Sequence, residues 1–285
     1  MKGRLFLLLQ HIVPHHALSR VVGKIAQCRW RPVKNAFINW FIKRYKVDMG
    51  EALYSNSSDF EHFNAFFTRE LKPGARPIEG EENTIACPAD GAISQMGRIS
   101  AGKLLQAKGK NFSLQQLLGG NPLDAEAFQE GSFATIYLSP KDYHRVHMPL
   151  AGTLTKMVHV PGKLFSVNQL TSENVDGLFA RNERAVCFFD TDFGPMAVVL
   201  VGAMIVASID TVWAGQVSPG RSGLRHTDYR NHVPNIQIPR GEEVGRFKLG
   251  STAIIVFGPG MAELHQSLSP GQGVRMGQSL GQARS

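Results

Sequence analysis

A chain of 285 residues, 43% hydrophobic and 19% charged, can bury a sizeable core, and this composition excludes a disordered polymer. The net charge of +8 belongs to the N-terminal arm, because residues 1–47 hold ten Lys/Arg and no acidic residue while the remainder nets −2. Three scattered cysteines, Cys28, Cys87 and Cys187, form no CxxC and no ligand spacing, which argues against a disulfide framework and predicts no metal site.

The arm, residues 1–50, interleaves cations with Leu5 to Leu9, Val21, Val22, Ile25, Trp30, Phe37, Ile38, Trp40, Phe41 and Ile42 at roughly helical spacing. That pattern predicts amphipathic helices lying on an anionic membrane surface. Its longest leucine-rich run, LFLLL, is far short of the ~18–20 residues that cross a bilayer, and no small-residue cleavage site follows it. A nucleic-acid tail would be polar and Arg-dense, so nucleic acid is not expected as a partner.

Residues 51–285 read as one β-rich domain. Asp59 to Leu71, DFEHFNAFFTREL, predicts a helix with Asp59 as its N-cap and Phe60, Phe63, Phe66, Phe67 and Leu71 on one face. From Thr84 onward short apolar runs divided by Gly, Pro and Asn predict strands: GAISQMGRI, SFATIYLS, GTLTKMVHVPG, AVCFFDTDFGPMAVVLVGAMIVASI, DTVWAG and FKLGSTAIIVF. Residues 111–128 predict a helical insert, 216–240 a polar loop, and the tail after Leu280 a fraying end. The expected class is α+β: N-terminal amphipathic helices, then a mostly antiparallel β-rich catalytic domain.

One strand is interrupted by Gly250, Ser251 and Thr252. A glycine there weakens a strand and marks a bulge or a close backbone approach. Two other stretches place polar residues at turns. Asp90 lies in CPADGAIS ahead of a strand, and His144 and His147 follow the Ser139-Pro140 turn in YLSPKDYHRVHMP. On extended backbone the two histidines face opposite sides; on a helical turn they come together. Asp90, His147 and Ser251 supply the carboxylate, imidazole and hydroxyl of a nucleophilic triad. The GxSxG elbow is missing. A serine inside a strand is badly placed for an outside substrate and well placed for its own preceding peptide bond.

FKLGSTAIIVF, with PADGAIS, YLSPKDYHRVHMP, VPGKLFSVN, LFARNER and FGPMAVVLVGAMIVASI, resembles the bacterial membrane-associated phosphatidylserine decarboxylases over about Tyr45 to Pro259. The resemblance implies self-cleavage between Gly250 and Ser251, giving chains 1–250 and 251–285 that stay together as a heterodimeric unit. It implies a triad of Asp90, His147 and Ser251, in which His147 takes the serine proton and Asp90 orients the imidazole. Ser251 would become a covalent pyruvoyl group, the only cofactor, which forms a Schiff base with phosphatidylserine and releases CO₂ and phosphatidylethanolamine. His144 is the candidate proton donor. VPGKLFSVN, with Leu164 and Phe165 exposed, is expected as a loop over the site, with Phe165 and Ser166 as candidate substrate contacts. The substrate would sit in an anionic membrane, the enzyme peripherally on the cytoplasmic side of the cell membrane, and a further homo-oligomer is compatible with this. Two other readings stay open: a self-processing serine hydrolase or amidase that keeps Ser251, and a non-enzymatic membrane-surface adaptor.

Overall fold

The computed structural model describes Gln10 and residues 15–204, 208–219, 223–248 and 251–284. The arm forms α1 (His15–Ala26) and α2 (Arg31–Tyr45). Pro32 falls in the first turn of α2, where its missing N–H costs nothing, and Lys46 ends the helix at a left-handed φ of 55°. Ile38 and Phe41 pack against Phe60, Phe63, Phe66 and Phe67, so one aromatic cluster joins arm and domain. The Lys34 ammonium donates to the carbonyls of Ser57 (3.1 Å), Ser58 (3.3 Å) and Phe60 beneath that cluster. No helix among the described residues is long and apolar enough to cross a membrane.

The predicted Asp59–Leu71 helix is shorter than its apolar periodicity suggested. A 3-10 turn at Ser57–Asp59 precedes α3 (Phe63–Phe67), whose N-cap is His62, not Asp59; the Ala65 amide donates to His62 Nδ1 at 3.0 Å. Asp59 caps the 3-10 turn instead, accepting from the Asn56 amide at 3.3 Å.

Strands follow: β1 (Thr84–Ala86), β2 (Gly91–Arg98), β3 (Lys103–Ala107) and β4 (Lys110–Ser113). The expected helical insert is the end of β4 plus two short helices, α4 (Leu114–Leu117) and α5 (Pro122–Glu126), capped by Ser113 and Asn121. Then come β5 (Ser132–Leu138), β6 (Arg145–His147), β7 (Gly152–Val160), α6 (Gln169–Asn174) and α7 (Leu178–Arg181). The chain continues through β8 (Arg184–Thr191), β9 (Gly194–Gly202), β10 (Ser208–Thr211) and β11 (Gly215–Ser218). It ends with β12 (Arg225–Asp228), β13 (Gln237–Ile238), β14 (Glu243–Lys248), β15 (Ser251–Phe257), β16 (Ala262–Leu264), β17 (Gly273–Val274) and β18 (Ser279–Ala283).

All paired strands are antiparallel among the described residues, and the class is α+β with a β-rich domain. The main sheet runs β12-β7-β8-β9-β15-β5-β2-β17, with β13 beside β7; a second sheet runs β11-β10-β14-β6 and a third β1-β18-β16. Two expectations are corrected here. The 216–240 region contributes β11, β12 and β13, and the tail pairs as β18 between β1 and β16, burying Leu280 and Ala283.

β15 lies inside the main sheet, paired with β5 and β9, and all seven of its residues are buried. Ala253, Ile255 and Phe257 enter the core shared with Val146, Ile209 and Phe247 of the second sheet, while Ile254 and Val256 enter the core under the helices. The period-2 alternation puts Ser251 on the face of Ala253, toward the second sheet, and Thr252 on the other. β14, the last strand of the second sheet in chain order, ends at Lys248, and β15 of the main sheet begins at Ser251.

Candidate active site

Ser251 opens β15 opposite Leu138 on one side and Gly202 on the other. It is fully buried, and its Oγ has no hydrogen-bond partner among the described residues; the same holds for Thr252 Oγ1. A buried hydroxyl without a partner costs free energy, of order 1–3 kcal/mol, and an outlier of this kind calls for a reason. Gly250, the other half of the expected cleavage site, lies outside the described residues.

His144 follows the 139–143 loop that leaves β5 at Leu138. Its carbonyl accepts the Phe247 amide at 3.0 Å, so the loop and the end of β14 run side by side next to Ser251. Its ring packs on Phe67 with centroids 4.0 Å apart. His144 Nδ1 is 2.8 Å from the Asp142 carbonyl, which can only accept, so Nδ1 carries the hydrogen and Nε2 holds the lone pair. Nε2 is buried and has no hydrogen-bond partner among the described residues. Complete burial pushes the imidazole down to about 3, and the ring is neutral near pH 7.

His147 is on β6, opposite Glu243 of β14. The backbone from Arg145 to His147 is extended, the case in which the two histidines do not share a face. Its Nδ1 lies 2.7 Å from the Gly241 carbonyl and therefore donates, leaving Nε2 to accept from the Tyr143 hydroxyl at 3.0 Å. Burial lowers its pKa as well. The tautomer required of a general base, with Nε2 free of hydrogen, is thus fixed by a main-chain carbonyl.

Asp90 is held elsewhere. Arg76 grips it with two bonds, Nε to Oδ1 at 2.8 Å and Nη2 to Oδ2 at 2.5 Å, and the Met276 amide donates to Oδ1 at 2.9 Å. Arg76 also reaches Glu51 at 2.8 Å, and these carboxylates raise the guanidinium's pKa above its ordinary value. Gly91 must be glycine, because a Cβ there would lie 2.2 Å from the Tyr137 carbonyl. Asp90 and His147 share no hydrogen bond. What joins them is the turn before β2, whose Pro88 carbonyl accepts the His147 amide at 2.7 Å, and Tyr143, whose phenol is raised by burial and by the charge of Asp90 among others. Asp90 and Tyr143 both line a cavity of about 450 Å³.

The VPGKLFSVN loop is tied to this centre. Asn182 accepts from the Phe165 amide at 3.1 Å and donates to the carbonyls of Phe165 and Gly202, both at 2.9 Å. Gly202 is the strand partner of Ser251, so the loop sits one residue away from β15. Leu164 and Phe165 are buried, contrary to the exposed position expected, because Asn182 staples them down; Ser166 is half-buried. Sequence reasoning missed Arg76, Tyr143, Asn182 and Gly241. Tyr143 carried a usable signal, lying four residues before His147 in the same proline-bounded segment. The other three reach the site only through folding. Among the described residues no cluster of three or more His, Cys, Asp or Glu is placed to hold a metal.

A family model described as phosphatidylserine decarboxylase matches residues 63–282, and another described as PSD matches residues 5–46. A curated phosphatidylserine decarboxylase proenzyme of Pseudomonas putida is 62% identical over 282 residues, covering 98% of each chain. That of Ectopseudomonas mendocina is 60% identical over 286 residues and the whole of both chains; that of Pseudomonas fluorescens strain Pf-5 is 59% identical over 282 residues. The match spans both the arm and the domain that buries Ser251. The chain belongs to the phosphatidylserine decarboxylase family.

Proposed function

We propose that the chain is a precursor that cuts itself between Gly250 and Ser251 and then converts phosphatidylserine to phosphatidylethanolamine and CO₂, as a carboxy-lyase. The observation that carries this is the buried Ser251 hydroxyl, without a hydrogen-bond partner among the described residues, inside a strand paired on both sides. A hydroxyl so placed has one electrophile within its own covalent reach, the carbonyl of residue 250.

The Ser251 hydroxyl adds to that carbonyl, its proton passes to a base, and the C–N bond breaks, turning amide into ester. Loss of the Ser251 Cα proton then expels the chain 1–250 carboxylate and leaves a dehydroalanine, which hydrolyses to a pyruvoyl group and ammonia. His147 is the proposed base: neutral, with Nε2 as its basic nitrogen, once the Tyr143 hydroxyl releases it or relays the proton. Asp90 is the proposed orienting group: Arg76 and the Met276 amide fix it in the cavity that is also lined by Tyr143, the hydroxyl partner of His147 Nε2.

Residue 251 suits such a group. The serine oxygen makes no hydrogen bond among the described residues, so its departure with the carboxylate of chain 1–250 severs none of those bonds. A pyruvoyl group there supplies an electron sink for the pair released when a substrate carboxylate departs as CO₂. The carbon that loses CO₂ needs one proton, and His144 is the proposed donor. It is neutral at rest, so Nε2 must first take a proton from solvent; burial, which holds its pKa at about 3, then makes the imidazolium give that proton up readily. Phe165 and Ser166 are proposed to border the substrate, brought close by Asn182. The arm proposed to rest on the membrane exposes Val21, Ile25, Trp30 and Trp40 beside Lys24, Lys43 and Arg44.

Intact-mass analysis tests this. Active protein should contain two chains, the smaller blocked at residue 251 and lighter by one ammonia than a serine-initiated peptide; Ser251→Ala should remain one inactive chain. Full decarboxylase activity in an unbroken chain would refute the reading, and a small chain beginning with free serine would favour a serine hydrolase.

A further inference from the structure

The face of the main sheet opposite the second sheet carries a cavity of about 490 Å³, within the range of small-molecule sites. Tyr137 of β5 lies in its lining; in the sheet register Tyr137 faces Thr252, the neighbour of Ser251. Val167 and Glu173 form the wall opposite, and Lys108 stands at the tip of the β3–β4 hairpin, held there by a left-handed φ of 46°.

The Lys108 ammonium is 2.7 Å from Glu173 Oε2, and the other carboxylate oxygen accepts from Gln169 Nε2 at 2.9 Å. Glu173 is therefore fixed from two sides. Lys108 is 68% exposed, so its ion pair is solvent-screened and yields cheaply to a competing anion. The same wall is touched by the arm. Gln10, 2% exposed, accepts from the Ser166 amide at 2.8 Å and donates to Thr171 Oγ1 at 3.2 Å, bracketing Val167. A lipid held at the membrane surface proposed for the arm would lie beside this wall.

Resting on the reading above, we propose that this cavity receives the serine phosphodiester headgroup of a lipid, with the Lys108 ammonium binding its phosphate. The headgroup amine then lies beside Tyr137 and Thr252 and meets residue 251 at its main-chain Cα, from the face opposite the one its serine side chain occupies, while the glycerol and acyl chains remain on the arm side. Lys108 is a binding residue here and takes no part in cleavage or proton transfer.

The test compares the parent enzyme with Lys108→Gln and Lys108→Arg. Two substrates are used: dihexanoyl phosphatidylserine below its micellar concentration, and vesicles of phosphatidylserine in phosphatidylcholine. Losing one charge-assisted bond to phosphate should raise KM about tenfold for both substrates in Lys108→Gln. The value of kcat should hold, intact mass should show complete cleavage, and Lys108→Arg should stay within about twofold of the parent. A KM change confined to vesicles would put Lys108 on the bilayer surface, and an unchanged KM would remove it from binding. A fall in kcat or incomplete cleavage at constant KM would make it structural. Each of these overturns the proposal. A parent enzyme without the blocked small chain would instead defeat the self-cleavage reading, and the KM comparison would still stand on its own.

Discussion

His144 gives the fold a specific acid sensitivity. In the unfolded chain its imidazole titrates at 6.5, whereas in the folded protein burial pushes it down to about 3. Between those values the unfolded state binds a proton that the folded state refuses, so stability is complete above about pH 6.5 and is lost as pH falls toward 3. At pH 5 the unfolded imidazole is about 1.5 units below its pKa, which at 1.36 kcal/mol per unit amounts to about 2 kcal/mol lost relative to pH 8. The measurement is urea unfolding of the Ser251→Ala chain with and without His144→Gln, at pH 8 and pH 5. Replacing His144 carries its own cost through the Phe67 contact, but that cost is the same at both pH values and cancels. His62 and His147, lowered by burial, and Asp142, raised by burial, titrate in both chains and cancel likewise. The double variant should lose about 2 kcal/mol less between the two pH values than the single one. Equal losses would show that the imidazole is wet or already paired, and its role as a dry proton donor would fall with it.

Arg76→Leu leaves the carboxylates of Asp90 and Glu51 without their shared cation. Asp90 is 10% exposed, and stripping a partly buried pair of one partner costs about 3 kcal/mol; adding Asp90→Asn should restore part of that in urea unfolding. The same single variant should slow self-cleavage in an intact-mass time course, because Asp90 no longer has a fixed position. Asn182→Ala removes three hydrogen bonds from a fully buried side chain, at about 1 kcal/mol each. Limited proteolysis within residues 161–168 should accelerate, and resistance equal to the parent would mean that the loop is held by its apolar side chains without Asn182.

The strands from 84 onward were legible because their apolar residues alternate or run unbroken between turn residues, as Ala253 to Phe257 do. The strands missed in 216–240 had no such pattern to show. β12, Arg225–Asp228, is a mostly exposed edge strand that joins β7 through main-chain pairing, and side chains say nothing about such bonds. The Asp59 helix failed for the opposite reason: five aromatic and apolar residues at helical spacing are also what a cluster around α2 requires, and tertiary packing took Phe60 out of the helix. At the site, residue types suggested a chemistry, but the partners of each group depended on contacts between distant segments. Arg76, in the stretch between the predicted Asp59–Leu71 helix and the strands from Thr84 onward, is the ion-pair partner of Asp90. Gly241 displays no side chain at all, yet its carbonyl sets the tautomer of His147.

Cutting ahead of Ser251 should not release the smaller chain. Residues 251–285 contribute β15 to the interior of the main sheet, β17 to its edge beside β2, and β16 and β18 to the sheet with β1. Ile254, Ile255, Val256, Phe257 and Leu280 are fully buried, and at about 2 kcal/mol each they contribute on the order of 10 kcal/mol of contact with the larger chain. Those contacts and the strand pairing must be lost together for the smaller chain to leave, so its release requires unfolding of the main sheet. Because β15 is clamped on both sides up to its first residue, the new terminus at 251 stays where the hydroxyl was, beside the loop that carries His144. Both chains should therefore co-elute in native size-exclusion chromatography and separate only in denaturant. If the small chain were lost under native conditions while decarboxylation continued, the reactive group would have to lie elsewhere in residues 1–250.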